Sequence, residues 1–372
     1  MSVPFLIGRP LDTFTVGRDN NYNLVRFVAA LMVLVSHSFA LCLGPGGAEP
    51  LEQLVGMTLG NVAVDVFFFT SGFLVTGSLI KRGGVGAFLA ARARRVMPGL
   101  IACVVFCVLG IGLLFTTLPS SEFLAAAATR QYFLKNVLLL AGAAFELPGV
   151  FSSLPHANVV NGSLWTLPQE VRLYLILAGI GFGARSLSMV ARWIRLEVVV
   201  SLLAAALVAA NVTNHFVHFA AREALQVGSM FFVGAAVYAN RKRILISTPL
   251  VLGACLLLVA CGSQRNAFFV AYQLLLPLIV LGLAYLPGGK IRLFNRVGDY
   301  SYGLYLYAFP IQQAVVATTG IKTPWLMGTI SFAITLVIAL GSWHFLESRW
   351  LRRSRIQEPQ GLLPGRKGVA HE

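Results

Sequence analysis

Apolar residues fall in ten long blocks divided by short polar or basic stretches, at roughly 24–43, 57–80, 97–118, 168–184, 194–212, 224–240, 248–263, 267–287, 300–320 and 324–347. A helix needs about 20 residues to cross the hydrocarbon of a bilayer, and most of these blocks are near that length. No comparable stretch alternates apolar and polar positions, which excludes a membrane β-barrel. The pattern predicts an all-α polytopic membrane protein, a bundle of about ten transmembrane helices. The first block is too long for a signal-peptide core and is read as a retained span. A short run at 137–145 cannot span and is expected to lie at the interface or to re-enter. No internal repeat is evident, which weakens a transporter reading.

Composition agrees. Of 372 residues, 57% are hydrophobic and 12% are charged, and the mean hydropathy is +0.77. A soluble domain is about 25% charged, so an ordinary soluble globule, a disordered tail and a disulfide scaffold are excluded. The five cysteines lie in or beside apolar blocks, without a CxxC pair. They suit small buried hydrophobes better than a disulfide framework or a zinc site.

The net charge of +15 changes meaning once the basic residues are placed. With alternating crossings, 23 of the 29 Lys and Arg residues fall on one side of the membrane. This positive-inside bias places both termini in the cytoplasm. The organisation expected is a cytoplasmic segment at 1–23, a transmembrane domain at 24–347 and a basic cytoplasmic tail at 348–372. That tail is read as topological and lipid-facing, and without interleaved aromatics it gives no reason to expect nucleic acid. The longest external loop is roughly 119–167.

Against this background a few polar residues stand out. His37 sits mid-block, where an ionisable group is a functional candidate by default, although a histidine can also serve helix packing. Arg26 lies eleven residues earlier, about 16 Å along a helix, as a ligand group or a snorkelling anchor. Asp65, in the second block, is at a depth matching His37 and suits either an orienting carboxylate or a structural partner. Arg92 and Arg95 are three apart before the third block. Paired guanidiniums suit a polyphosphate ligand, while positive-inside topology alone also accounts for them. Glu170 follows Pro168 in the first turn of the fourth block, where a carboxylate also complements the helix dipole. His215 and His218 have metal-ligand spacing but no third ligand, so no metal is expected.

These residues sit in segments that resemble the acyltransferase 3 family of integral membrane acyltransferases, along nearly the whole chain. Arg26, ten residues and His37 resemble its first-helix signature, and NVAVDVFFFTSGFLV at 61–75 its second-helix segment. FLAARARRVMP at 88–98 is similar to its Arg-rich approach to the third helix. NGSLWTLPQEVRLY at 161–174 and GDYSYGLYLYAFPI at 298–311 resemble two further hallmarks. The family often has a histidine shortly before the proline of the last motif; here that position is Ala308, which leaves His37 as the better candidate base. Some members carry an extracytoplasmic hydrolase-like domain, and this chain resembles the stand-alone form.

The resemblance implies acylation, typically acetylation, of a hydroxyl on a polysaccharide, a lipid-linked sugar or a small molecule. The donor expected is acyl-CoA, acetyl-CoA foremost, docked by Arg26, Arg92 and Arg95. His37 is the expected base, with Asp65 to orient it and Glu170 lining the acceptor side. The acceptor expected is an extracytoplasmic glycan or lipid-linked sugar, and the location a bacterial-type inner membrane, in contact with its lipids. Rival readings are a proton-coupled transporter or flippase, a macrolide-like small-molecule acyltransferase, and a non-catalytic partner in polysaccharide export.

Overall fold

The computed structural model describes residues 8–17, 19–44, 47–82, 84–139, 141–188 and 195–351. Within them ten helices overlap the ten apolar blocks: α1 Tyr22–Leu43, α2 Leu59–Arg82, α3 Val85–Val105, α4 Thr166–Ser188, α5 Leu196–Val217, α6 Arg222–Ala239, α7 Thr248–Ala260, α8 Arg265–Tyr285, α9 Ser301–Thr319 and α10 Pro324–Ser342. Six helical stretches are long and apolar enough to cross a membrane: α1, α2, Val85–Phe115, α5, α8 and Pro324–Leu351. Thr248–Ser263 is a shorter apolar helix.

Local chemistry sets several helix ends. The Glu49 carboxylate accepts from the Leu59 N–H, and Thr58 Oγ1 accepts from the Asn61 N–H at 3.0 Å, so both cap the start of α2. Its last turn carries Lys81 and Arg82, which complement the dipole. The helix α1 stops at Gly44, whose φ of 74° suits glycine. A Cβ there would lie 3.2 Å from the Pro155 carbonyl oxygen.

One helix differs from the block pattern, and two continue into π-helical stretches. α3 begins at Val85, twelve residues before the apolar block, so Arg92, Arg94 and Arg95 are inside the helix and Pro98 is within it. The sequence VGAFLAARARRVM is rich in the strong helix formers Ala, Arg and Leu, and helix propensity does not stop where hydropathy does. α3 then continues through a π-helical stretch, Phe106–Gly112, and α10 through another, Trp343–Glu347.

Burial separates inner from outer helices. α9 is buried at every residue from Ser301 to Gln313 and is the axis of the bundle. α7 buries Ala254 alone, and its leucines point outward, Leu256 at 71% exposure. An apolar surface of that kind suits lipid. α2 and α6 meet backbone to backbone. A Cβ on Gly72 would lie 1.9 Å from the Phe231 carbonyl oxygen, and one on Gly234 would lie 2.2 Å from that of Phe69. Small residues at a crossing allow such approach.

The N-terminal segment is strapped to the bundle. Arg9–Pro10 pairs antiparallel with Leu245–Ile246, in the register Arg9 to Ile246. Leu11 is fully buried, and Asp12 pairs with Arg241 at 3.0 Å. Residues 1–7 and, from 352 onward, the basic tail lie outside the described residues.

The region after Ala127–Leu138 turns back toward the bundle. Asn161 Nδ2 donates to the Leu306 carbonyl on α9 at 2.9 Å. That oxygen is the one whose intrahelical partner would be the N–H that Pro310 lacks. Cys103 Sγ donates to the same carbonyl at 3.3 Å. Residues 157–165 therefore reach the buried axis, although the 137–145 run alone is too short to do so.

Candidate functional site

A small cavity, about 40 Å³, lies among α1, α2, α4 and α9, lined by Arg26, Ser71, Thr166, Glu170, Ser301 and Tyr305 among others. Its polar wall is a connected set. Tyr174 donates to the Glu170 carboxylate, Ser71 Oγ donates to it at 3.1 Å, and the two hydroxyls are 3.0 Å apart. On the facing side the Tyr305 hydroxyl donates to the Ser163 carbonyl at 2.7 Å and is 2.6 Å from Thr166 Oγ1. Glu170 and Tyr174 are four apart on α4, the spacing that stacks side chains on one helix face.

Three arginines approach this region with different partners. Arg26 sits over the Phe67 ring at 5.6 Å, and its buried Nε has no hydrogen-bond partner. Arg92 Nε is also buried without one, and Tyr174 and Glu170 are among the groups that feel its charge. Arg95 is engaged. It pairs with Asp299, with Glu347 at 3.4 Å, and lies 5.3 Å from the Tyr302 ring centroid. Burial alone would raise the Asp299 carboxyl, but Arg95, then Arg26 and hydrogen bonds from Ser301, hold it below the usual carboxylate range. The two orphaned guanidinium nitrogens, on Arg26 and Arg92, fit an anionic ligand, because a buried donor without a partner is costly. Arg95 already has its counter-charges.

His37 is elsewhere, further along α1. Its ring meets Phe309 of α9 edge-on, with centroids 5.0 Å apart, and its Nδ1 is buried without a partner. His156, in the loop before α4, contacts the same Phe309 ring at 6.1 Å. Burial holds the half-buried His156 below the usual imidazole range. Two glutamines next along α9 fix the surroundings. Gln312 Nε2 donates to the Leu34 carbonyl and to Ser38 Oγ, both at 2.8 Å. Gln313 Nε2 donates to the carbonyls of His156 and Val159, both at 2.8 Å.

Asp65 is fully buried, and its partners are Tyr272 Oη at 2.8 Å and Gln226 Nε2 at 3.0 Å. Both of its carboxylate oxygens are taken by α8 and α6, not by His37. Glu170 shares a cavity with Arg26, so it lies beside a residue expected to hold the donor. The candidates thus divide: Arg26 and Glu170 line one cavity with Arg92 close by, Arg95 forms an ionic clamp, Asp65 ties three helices, and His37 stands with His156. His215 stacks on Phe269 at 4.0 Å and bonds Asn266.

The model of the acyltransferase-domain family acyltransferase 3 matches residues 19–344, and the chain belongs to that family. It is an acyltransferase of the O-acyl, O-acetyl type. Its relatives include an O-acetyl transferase of Shigella phage Sf6, 31% identical over 91% of this chain and 97% of that protein. Nodulation protein 10 of Rhizobium leguminosarum bv. viciae is 27% identical over 91% and 95%. The exopolysaccharide production protein ExoZ of Rhizobium meliloti (strain 1021) is 28% identical over 83% and 95%. No solved structure matches the chain.

Proposed function

We propose that the protein moves an acetyl group from cytoplasmic acetyl-CoA to a hydroxyl of an extracytoplasmic polysaccharide or lipid-linked sugar, with ten crossings of the plasma membrane and both termini in the cytoplasm. The observation that carries this reading is the division of labour along α1. Arg26, with an orphaned nitrogen, lines the cavity near Arg92, and His37, with an orphaned nitrogen of its own, lies eleven residues further on, about 16 Å along the helix. One helix therefore holds an anion-binding group at one level and a base at another, as a long donor with phosphates at one end and a thioester at the other requires. The names of the relatives, an O-acetyl transferase and an exopolysaccharide protein, support the acceptor class.

In this reading Arg26 and Arg92 bind donor phosphates through charge-assisted hydrogen bonds. The hydroxyl oxygen of the acceptor attacks the thioester carbonyl, and His37 takes the hydroxyl proton. As the C–O bond forms and the C–S bond breaks, that proton passes to the departing thiolate. Asp65 holds α2, α6 and α8 in register, and Glu170 with Ser71 and Tyr174 forms the polar wall of the donor cavity. Arg95 braces α3 against Asp299 and Glu347.

The test is His37→Ala in nanodiscs with radiolabelled acetyl-CoA. Loss of a general base costs about 10²–10⁴-fold, with the melting profile unchanged. Undiminished acetyl-ester signals in the NMR spectrum of surface glycan from cells making this variant would refute the role, and a chain that moves intact substrate without acetyl-CoA would be a transporter.

A further inference from the structure

We infer that His156 is an acceptor-positioning residue, which with His37 and Phe309 forms the seat for a sugar hydroxyl. The inference rests on the acyl-transfer reading above and adds a residue outside all five family-like motifs.

Four observations support it. The two imidazoles contact one phenyl ring, at 5.0 and 6.1 Å between centroids. Phe309, itself buried, thus fixes the spacing of two groups that each donate and accept hydrogen bonds, a combination suited to a sugar hydroxyl. The loop is held rather than draped. Fully buried Gln313 grips the carbonyls on either side of its turn, those of His156 and Val159. Asn158, at φ 65°, donates its backbone N–H to the Phe151 carbonyl. Holding the backbone around His156 in this way lowers the ordering cost of binding. Access is present too: Ser152, Ser153, Pro155, Ala157 and Asn158 are exposed around a half-buried His156. Finally, no hydrogen bond within the chain uses the His156 side chain among the described residues, so its ring nitrogens are available to a ligand.

The acceptor hydroxyl would be bound by His156 while His37 takes its proton. The bonds made and broken are those of the transfer above, and His156 gains and loses no proton in it.

The experiment uses full-length protein in nanodiscs, radiolabelled acetyl-CoA and base-deacetylated glycan shed by the producing cells. His156→Ala is expected to raise the glycan concentration for half-saturation about tenfold, with half-saturation by acetyl-CoA changed less than twofold. His156→Gln, which keeps an amide donor, is expected to recover most of the loss. A parallel measurement needs no turnover: saturating glycan is expected to protect His156 from diethyl pyrocarbonate, read by peptide mass. Unchanged glycan half-saturation in His156→Ala, equal weakening toward both substrates, or equal labelling of His156 with and without glycan would overturn the inference. Full activity in His37→Ala would instead sink the base assignment, so the two failures are distinguishable.

Discussion

Asn161 donates its side-chain amide to the Leu306 carbonyl at 2.9 Å, the carbonyl that Pro310 leaves without a helical partner. A proline in the axial helix and an asparagine 149 positions earlier thereby complete one another, with Asn161 itself fully buried. The bond pins the segment leading into α4 to the core of the bundle, and through it fixes where Ser163, Thr166 and Glu170 stand.

Asn161→Leu is therefore expected to destabilise the protein by about 1–3 kcal/mol, the cost of an orphaned buried polar group. Activity should fall as well, because the wall of the cavity lined by Arg26 and Glu170 shifts. Thermal unfolding in detergent and acetyl transfer measure the two effects. Wild-type melting would contradict the anchoring role.

Gly72→Ala is expected to prevent proper assembly. The added Cβ would meet the Phe231 carbonyl oxygen at 1.9 Å, and backbone cannot yield as a side-chain tip does. Overpacking ordinarily costs about 1–3 kcal/mol, occasionally more, and this contact is at the severe end. Size-exclusion profiles of a fluorescent fusion should show aggregation, whereas Gly179→Ala, with nothing within 4 Å of its added Cβ, should elute as wild type.

Arg92 and Arg95 are expected to part company. Arg95→Ala strips partly buried Asp299 and buried Glu347 of a shared counter-charge, and leaving a buried charge unpaired costs up to about 3–5 kcal/mol. Its main effect should be on melting. Arg92→Ala removes a guanidinium without a hydrogen-bonded partner at Nε, so the fold should hold and acetyl-CoA binding should weaken. Equal melting shifts for the two variants would refute the distinction.

Asp299 gives a pH dependence of known sign. Its folded carboxyl lies below the usual range, so the unfolded chain binds the proton first as pH falls. The stabilisation is complete above the ordinary aspartate value of about 3.9 and is lost as acid carries pH down through the lower folded value. Melting temperature should fall below about pH 4, and Asp299→Asn should flatten that limb while lowering the plateau. An unaltered acid limb in the variant would place the titration elsewhere.

How far the sequence reads the molecule differs between elements. Each of the ten apolar blocks carries a helix, because apolar runs of this length favour helices, and six helical stretches are long and apolar enough to cross a membrane; α3 departs where arginines extend a helix beyond its apolar part. Glu170 is expected on the acceptor side, and it lines a cavity together with Arg26; Tyr174, four positions on, is within reach by helical spacing alone. Asp65 is different. Its depth is readable, but its partners are Gln226 and Tyr272, 161 and 207 residues away, and no local pattern encodes such a meeting. Matching depth suggested His37, yet depth fixes only one coordinate of three. His156 carries no periodic signal, since it sits in a loop whose course is set by Gln313 and Asn161.

The glycine seam between α2 and α6 has a consequence for biosynthesis. The ribosome completes α2 roughly 140 residues before it begins α6, an interval of about 7–28 seconds at about 5–20 residues per second. Through that time Asp65 waits inside the bilayer without Gln226, and it waits longer for Tyr272. A nascent chain arrested in this window carries a solitary carboxylate on a notched helix, so fragments ending before Arg222 are expected to be cleared by the cell instead of accumulating as half-built bundles.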